Sequence, residues 1–430
     1  MRFFRPRRLS VLSILAIVLA TMAASLLAVN FIGGEKKIEQ HVTRAYSIAD
    51  PRFAQELGVL LGRVFLPGNQ TQVLLNGDQI FPSMLQAIRS AQKTITFETY
   101  IYWSGEIGQQ FADALAERAR HGVKTHLLLD WVGSAKMDEK LLDEMRSAGV
   151  EIQKFHPPHW SHLGRLNNRT HRKLLVVDGT VGFTGGVGIA PEWTGQAQDP
   201  SHWRDSHFRV EGPVVAQLQA VFLDNWVKAT GDVLHGPNYF PPLAPAGDHV
   251  AQMFSSSPTG GSDSMQLMYL MAIGAADRSI DLSAAYFVPD ALTTRALLAA
   301  LQRGVKLRVV VPGEHIDSDT VRSASRAKWG PLLSAGAVIA EYAPTMYHCK
   351  VMVVDDLFVS VGSTNFDNRS FRLNDEATLN IISPSFAQQQ KQIFEADLAL
   401  ARRITLDQWN DRPLRERVSE WFSGLIASQL

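Results

Sequence analysis

His171-Arg172-Lys173-Leu174-Leu175-Val176-Val177-Asp178, followed by Gly185-Gly186-Val187-Gly188, returns later in the chain as His348-Cys349-Lys350-Val351-Met352-Val353-Val354-Asp355, followed by Gly362-Ser363-Thr364-Asn365. Both copies read His-x-Lys-x4-Asp-x6-Gly. The apolar, β-branched run after each histidine predicts a strand. Side chains two apart on a strand share a face. His171 therefore projects with Lys173 and His348 with Lys350, while Arg172 and Cys349 turn the other way. Asp178 and Asp355 fall at strand ends. Asp178-Gly179 and Asp355-Asp356 predict hairpin turns, with return strands over 181–184 and 358–361. The glycines that follow allow a backbone to approach a ligand closely.

Outward from the motif, the rest of each half also repeats. Ile88-Arg89-Ser90-Ala91, Gly122-Val123-Lys124 and Ser147-Ala148-Gly149-Val150 precede His171, and Ile273-Gly274-Ala275-Ala276, Gly304-Val305-Lys306 and Ser334-Ala335-Gly336-Ala337 precede His348. The order strand, helix, strand, helix, strand predicts duplicated α/β domains with a largely parallel sheet. They are expected over 71–235 and 251–430, the latter including a C-terminal tail. The intervening 236–250 carries Pro237, Pro241, Pro242 and Pro245, which continue neither a helix nor a central strand.

The first 34 residues form a separate unit. Arg2, Arg5, Arg7 and Arg8 precede Val11 to Ile32, a run without charge. Its length matches the roughly 20 residues of a membrane span, and the arginines orient the bulk of the chain away from the cytoplasm. A cleaved signal peptide is the alternative, but its apolar core is usually about 7–15 residues. Residues 35–70 are expected to be a juxtamembrane spacer.

The paired motif suits phosphodiester transfer. One neutral imidazole attacks phosphorus, and a second, protonated, donates to the leaving oxygen. Lys173 and Lys350 supply charge to the phosphoryl oxygens, and Ser363 and Asn365 add hydrogen-bond donors. No metal or cofactor is expected. His156, His159 and His162 are interrupted by Pro157 and Pro158 and lack a completing ligand, so their loop, with Trp160, is expected to rim the site. Cys349 is expected in the core, and Trp421-Phe422 packed on the domain.

This constellation resembles the phospholipase D superfamily over about residues 71–400. Phe97 to Tyr102, Gly185 to Ile189, Trp203-Arg204-Asp205, Tyr286 to Asp290 and Asn368 to Arg372 look most like the bacterial cardiolipin synthases within it. The resemblance implies two phospholipase D-like α/β domains packed face to face. It implies transfer from one phosphatidylglycerol to another through a phosphatidyl-histidine, with His171 as nucleophile and His348 as acid/base. Asp178 and Asp355 carry a catalytic expectation from the motif, although their strand-end positions favour turn stabilisation. Glu376 matches an acid that orients a motif histidine, with Asp205 as its counterpart; both are expected at the substrate site with Gly185, Gly186, Ser363 and Asn365. One departure is Gly188, which stands where family members often carry asparagine.

Composition narrows the alternatives. Lys and Arg number 42, as do Asp and Glu, so a neutral chain with its first four arginines at one end offers little for a nucleic-acid backbone. A phospholipid and a membrane are the expected partners, on the outer side of the inner membrane; the oligomeric state stays open. A lipid hydrolase, an exported nuclease and a non-enzymatic lipid-binding module remain the competing readings.

Overall fold

The computed structural model describes residues 10–32, 38, 40, 42–157, 168–258 and 264–425. His159, Trp160 and His162 lie outside them.

Both halves use one strand order. In the first, Thr94–Thr99, Lys124–Asp130 and Glu151–Phe155 run parallel. Beyond Thr94–Thr99 come Leu174–Val177, Val181–Gly185, Ser206–Glu211 and Leu66–Leu75, each antiparallel to its neighbour. The second half repeats this with Ser279–Ala284, Lys306–Pro312 and Val338–Tyr342 parallel. Lys350–Val354, Phe358–Gly362, Asn374–Ile382 and His249–Ser256 then follow antiparallel. The expected largely parallel sheet is thus corrected to a mixed one. Strands joined by helical crossovers are parallel, but each motif strand ends in a hairpin, which reverses the chain. The face-to-face expectation is also corrected: Leu66–Leu75 pairs with His249–Ser256 and joins the halves edge to edge in one sheet.

The spacer expectation fails from Ile48 onward. Helix Pro51–Leu61 starts at an Asp50 cap and buries Phe53, Leu57 and Leu61 in the core of the second half. Phe53 meets Phe358 edge-on at 5.4 Å. Each such side chain contributes about 1.5–3 kcal/mol of burial, which ties this segment to the fold. Helix Val11–Ile32 forms where the apolar run predicts a helix. Its described side chains end at Ser25, and among the described residues no helix is long and apolar enough to cross a membrane. Cys349 is buried as expected. The C-terminal helix Leu414–Leu425 differs from expectation. It docks by its polar side, Glu416 to Arg326 at 3.1 Å, and leaves Trp421 and Phe422 about 60% exposed.

Both motif aspartates sit in the predicted hairpin turns, at φ 53° and 54°. Asp178 accepts the backbone N–H groups of Gln92, Lys93 and Thr94 at 2.7–2.9 Å. Asp355 accepts those of Asp277, Arg278 and Ser279 at 2.7–2.8 Å. Each carboxylate clamps the loop that enters the first parallel strand. Asp355→Ala orphans three donors at once, so a loss of about 2–4 kcal/mol is expected. Thermal or denaturant unfolding checks it, and a midpoint equal to the parent's would show the clamp to be idle.

Candidate active site

Each motif histidine is held by the opposite half. Arg169–Thr170 pairs with Asn374–Asp375, and His171 N–H donates to Asp375 O at 2.9 Å. Arg204 bridges to Tyr347, and His348 N–H donates to Arg204 O at 2.8 Å. The side chains are exchanged in the same way. His171 Nδ1 lies 2.9 and 3.0 Å from the Glu376 carboxylate oxygens, and His348 Nδ1 lies 2.7 Å from Asp205 Oδ2. With Nδ1–H donating to a carboxylate, Nε2 carries the lone pair. Both rings line one cavity of about 500 Å³ between the halves, together with Tyr100, Lys173, Asn365 and Arg369.

Glu376 and Asp205 are fully buried. Burial pushes both carboxyls up, but the facing histidine and nearby lysine bring each below its ordinary value. Glu376 also accepts Ser363 Oγ–H at 2.5 Å and Ser370 Oγ–H at 2.6 Å. Asp205 accepts Trp193 Nε1–H at 3.0 Å and Ser206 N–H at 2.8 Å. Trp193 went unread in the sequence, and Ser370 was read only as part of the Asn368 to Arg372 resemblance, without a role. The available signal was register: they stand 177 positions apart, the same offset as the histidines.

Burial lowers His171 to about 4 and His348 to about 3, against the upward pull of the carboxylates. Burial thus favours the neutral form of both imidazoles. Each lysine folds back on its own histidine: Lys173 Nζ donates to His171 O and Lys350 Nζ to His348 O, both at 2.8 Å. Lys350 Nζ is also 3.1 Å from His348 Nε2. Burial, then the charge of Lys350, pushes Lys173 down to about 7. An anionic phosphodiester entering here relieves the repulsion between the lysines and favours a protonated imidazole.

Several expected site residues take other roles. Asp178 and Asp355 are not in the cavity; at ~3.3 Å per residue they lie on the order of 20 Å along the chain from the histidines, spent on turn donors. Gly185 and Gly186 face protein rather than ligand. A Cβ on Gly186 would stand 2.3 Å from Asp205 Oδ1, and one on Gly185 2.5 Å from His207 Nδ1. Their lack of a side chain lets Asp205 and the strand Ser206–Glu211 that follows it come close. Glu376 and Asp205 sit against the imidazoles, as the resemblance implied for orienting acids, and Ser363 donates to Glu376. Asn365 lines the cavity, and its Oδ1 has no partner among the described residues. At Gly188 a Cβ would meet Ile101 at 2.6 Å and Trp193 at 3.1 Å. Aromatic and aliphatic side chains occupy the place where the second half presents Asn365. His156 stacks on Phe155 at 4.0 Å.

Comparison with known proteins agrees with this geometry. Residues 84–226 and 269–398 match the family model described as "Cardiolipin synthase, PLD-like domain". The chain is 35% identical over 370 residues to cardiolipin synthase 1 of Bacillus anthracis, covering 84% of this chain and 72% of that protein. It is 34% identical over 367 residues to the major cardiolipin synthase of Bacillus subtilis, covering 85% and 76%. Phosphatidylserine synthase of Haemophilus influenzae superposes with TM-score 0.68 at 13% identity, covering 88% of this chain and 99% of that one, and shares the fold. With two matched domains over most of its length, the chain belongs to the cardiolipin synthase family of phospholipase D-like proteins.

Proposed function

We propose that this enzyme transfers a phosphatidyl group from one phosphatidylglycerol to another, forming cardiolipin and releasing glycerol. The observation that carries the reading is the pair of carboxylate-held imidazoles facing one cavity. His171 Nε2 attacks phosphorus as the phosphorus–oxygen bond to glycerol breaks, and His348, which takes up a proton when the anionic diester binds, gives that Nε2 proton to the departing oxygen. The second phosphatidylglycerol then returns a proton to His348 as its hydroxyl attacks, and the phosphorus–nitrogen bond breaks. Lys173 and Lys350 offset the charge on the phosphoryl oxygens. The Trp103, Trp193 and Trp203 side chains on the cavity wall suit a lipid better than a nucleic-acid strand.

The test incubates the full-length protein with phosphatidylglycerol and weighs the products. Cardiolipin with glycerol in equal amount is expected; phosphatidic acid alone would make it a hydrolase instead. We propose further that Val11–Ile32 anchors the protein in the inner membrane with the catalytic halves outside. The charge-free 22-residue helix and the preceding arginines support this. Protease added to spheroplasts should digest the catalytic halves, whereas protection until lysis would reverse the orientation.

A further inference from the structure

Two guanidinium groups line the cavity beside the histidines and Lys173: Arg169 from the first half and Arg369 from the second. They break the internal symmetry. At the 177-residue offset, Arg169 corresponds to Met346 and Arg369 to Glu192. Met346 is fully buried, and the wall at His348 is made by Trp193 and Trp203, with rings 5.3 and 5.5 Å from the imidazole. Each imidazole thus has an aromatic wall, Tyr100 at 5.2 Å from His171 and the two tryptophans at His348, but neither Arg169 nor Arg369 has a counterpart arginine in the other half.

Alternation along the chain sets the spacing. Thr170 points back to Glu98, and Arg172 points back to the Val221 carbonyl. Arg169, His171 and Lys173 therefore share the cavity side, with Arg169 about 6–7 Å from His171 at strand rise. Arg169 Nη1 donates to Asn168 O at 2.9 Å, and its guanidinium lies 5.5 Å from the Trp131 ring centre. Asp130, the acid that supports Arg169, also accepts N–H groups from Val132, Gly133 and Thr170. Burial lowers the proton affinity of Arg169, and the nearby charge of Arg369 lowers it further. Arg169 and Arg369 thus converge from opposite halves on a cavity that Lys173 lines with them, along with the carboxyls of Asp317 and Asp367.

We propose that Arg169 and Arg369 form a second anion subsite, which holds the phosphodiester of the acceptor phosphatidylglycerol. This rests on the transfer reaction proposed above. Cardiolipin carries two phosphates joined by one glycerol bridge, so the acceptor phosphate lies close to the reacting phosphorus when its hydroxyl attacks. Guanidinium groups bind such diesters through paired N–H donors. A neutral alcohol or water gains nothing from the subsite, so it biases the intermediate toward an anionic lipid acceptor.

The experiment offers phosphatidylglycerol micelles and n-propanol together to the full-length enzyme and measures the ratio of cardiolipin to phosphatidylpropanol. Arg169→Gln and Arg369→Gln should each lower that ratio at least about tenfold, as expected for a lost charged hydrogen bond. Ratios within about twofold of the parent overturn the subsite. A parent enzyme that makes phosphatidylpropanol but no cardiolipin sinks the transfer reading itself, so the two failures are distinct. A second measurement needs no variant. Glycerophosphoglycerol and glycerol, offered together to the parent enzyme, should be used with about a tenfold preference for the anion, and equal use also overturns the proposal.

Discussion

His171→Ala is expected to lower turnover by on the order of 10⁴-fold or more, because in the proposed reaction it removes the atom that becomes bonded to phosphorus. His348→Ala should cost about 10²–10⁴-fold, the usual worth of a positioned proton donor. The asymmetry follows from role, since both rings are buried and each is held by one carboxylate. In His348→Ala the first step still proceeds slowly, and the intermediate has no base to activate its acceptor. Rapid denaturation and peptide mapping of that variant should find the phosphatidyl group on the peptide containing His171. A phosphatidyl group on the His348 peptide of His171→Ala would reverse the roles, and full turnover in either variant would end the paired mechanism.

The second large effect belongs to the carboxylates. Glu376→Gln and Asp205→Asn keep size and hydrogen-bonding reach, but an amide presents N–H as readily as oxygen to Nδ1. The ring then loses its fixed tautomer and the charge that stabilises an imidazolium. A drop in kcat of about 10²–10⁴-fold is expected for each. The pH profile separates this from simple misfolding. In the parent, kcat/KM reports the free enzyme. As pH falls through about 4, His171 takes up a proton and loses its lone pair. As pH rises through about 7, Lys173 loses the charge that binds phosphate. His348 must also gain a proton that it holds only near pH 3 in the free enzyme, so kcat/KM should fall steadily above about pH 4 and more steeply above about pH 7. Glu376 pulls His171 upward, so Glu376→Gln should move the acid limb to lower pH. An unmoved acid limb would mean that the carboxylate does not act through the ring.

Much of the site was legible because duplication doubles the signal. One His-x-Lys is common, whereas two copies at matching register single out His171, Lys173, His348 and Lys350. The alternation that places each histidine beside its lysine is local backbone geometry. So were the hairpin turns, since Asp178-Gly179 and Asp355-Asp356 carry the left-handed backbone such turns need. The glycines were misread because a glycine announces close approach without saying of what. At Gly186 the neighbour is Asp205, brought by a strand twenty residues on. Helix Pro51–Leu61 was read as spacer because its burial depends on a partner surface more than 190 residues away in the chain.

By itself the sequence determined the duplicated α/β plan, the two histidine-lysine pairs and the turns that end their strands, because each follows from periodicity within a few residues. Only the tertiary structure decided the rest. It crossed the carboxylates between halves, gave Glu376 to His171 and Asp205 to His348, and placed Arg169 and Arg369 on the wall of one cavity. The physical reason is that a local pattern fixes which face a side chain takes, while its partner depends on how two sheets meet. Here they meet along Leu66–Leu75 and His249–Ser256, edge to edge, and that join sets the histidines opposite each other.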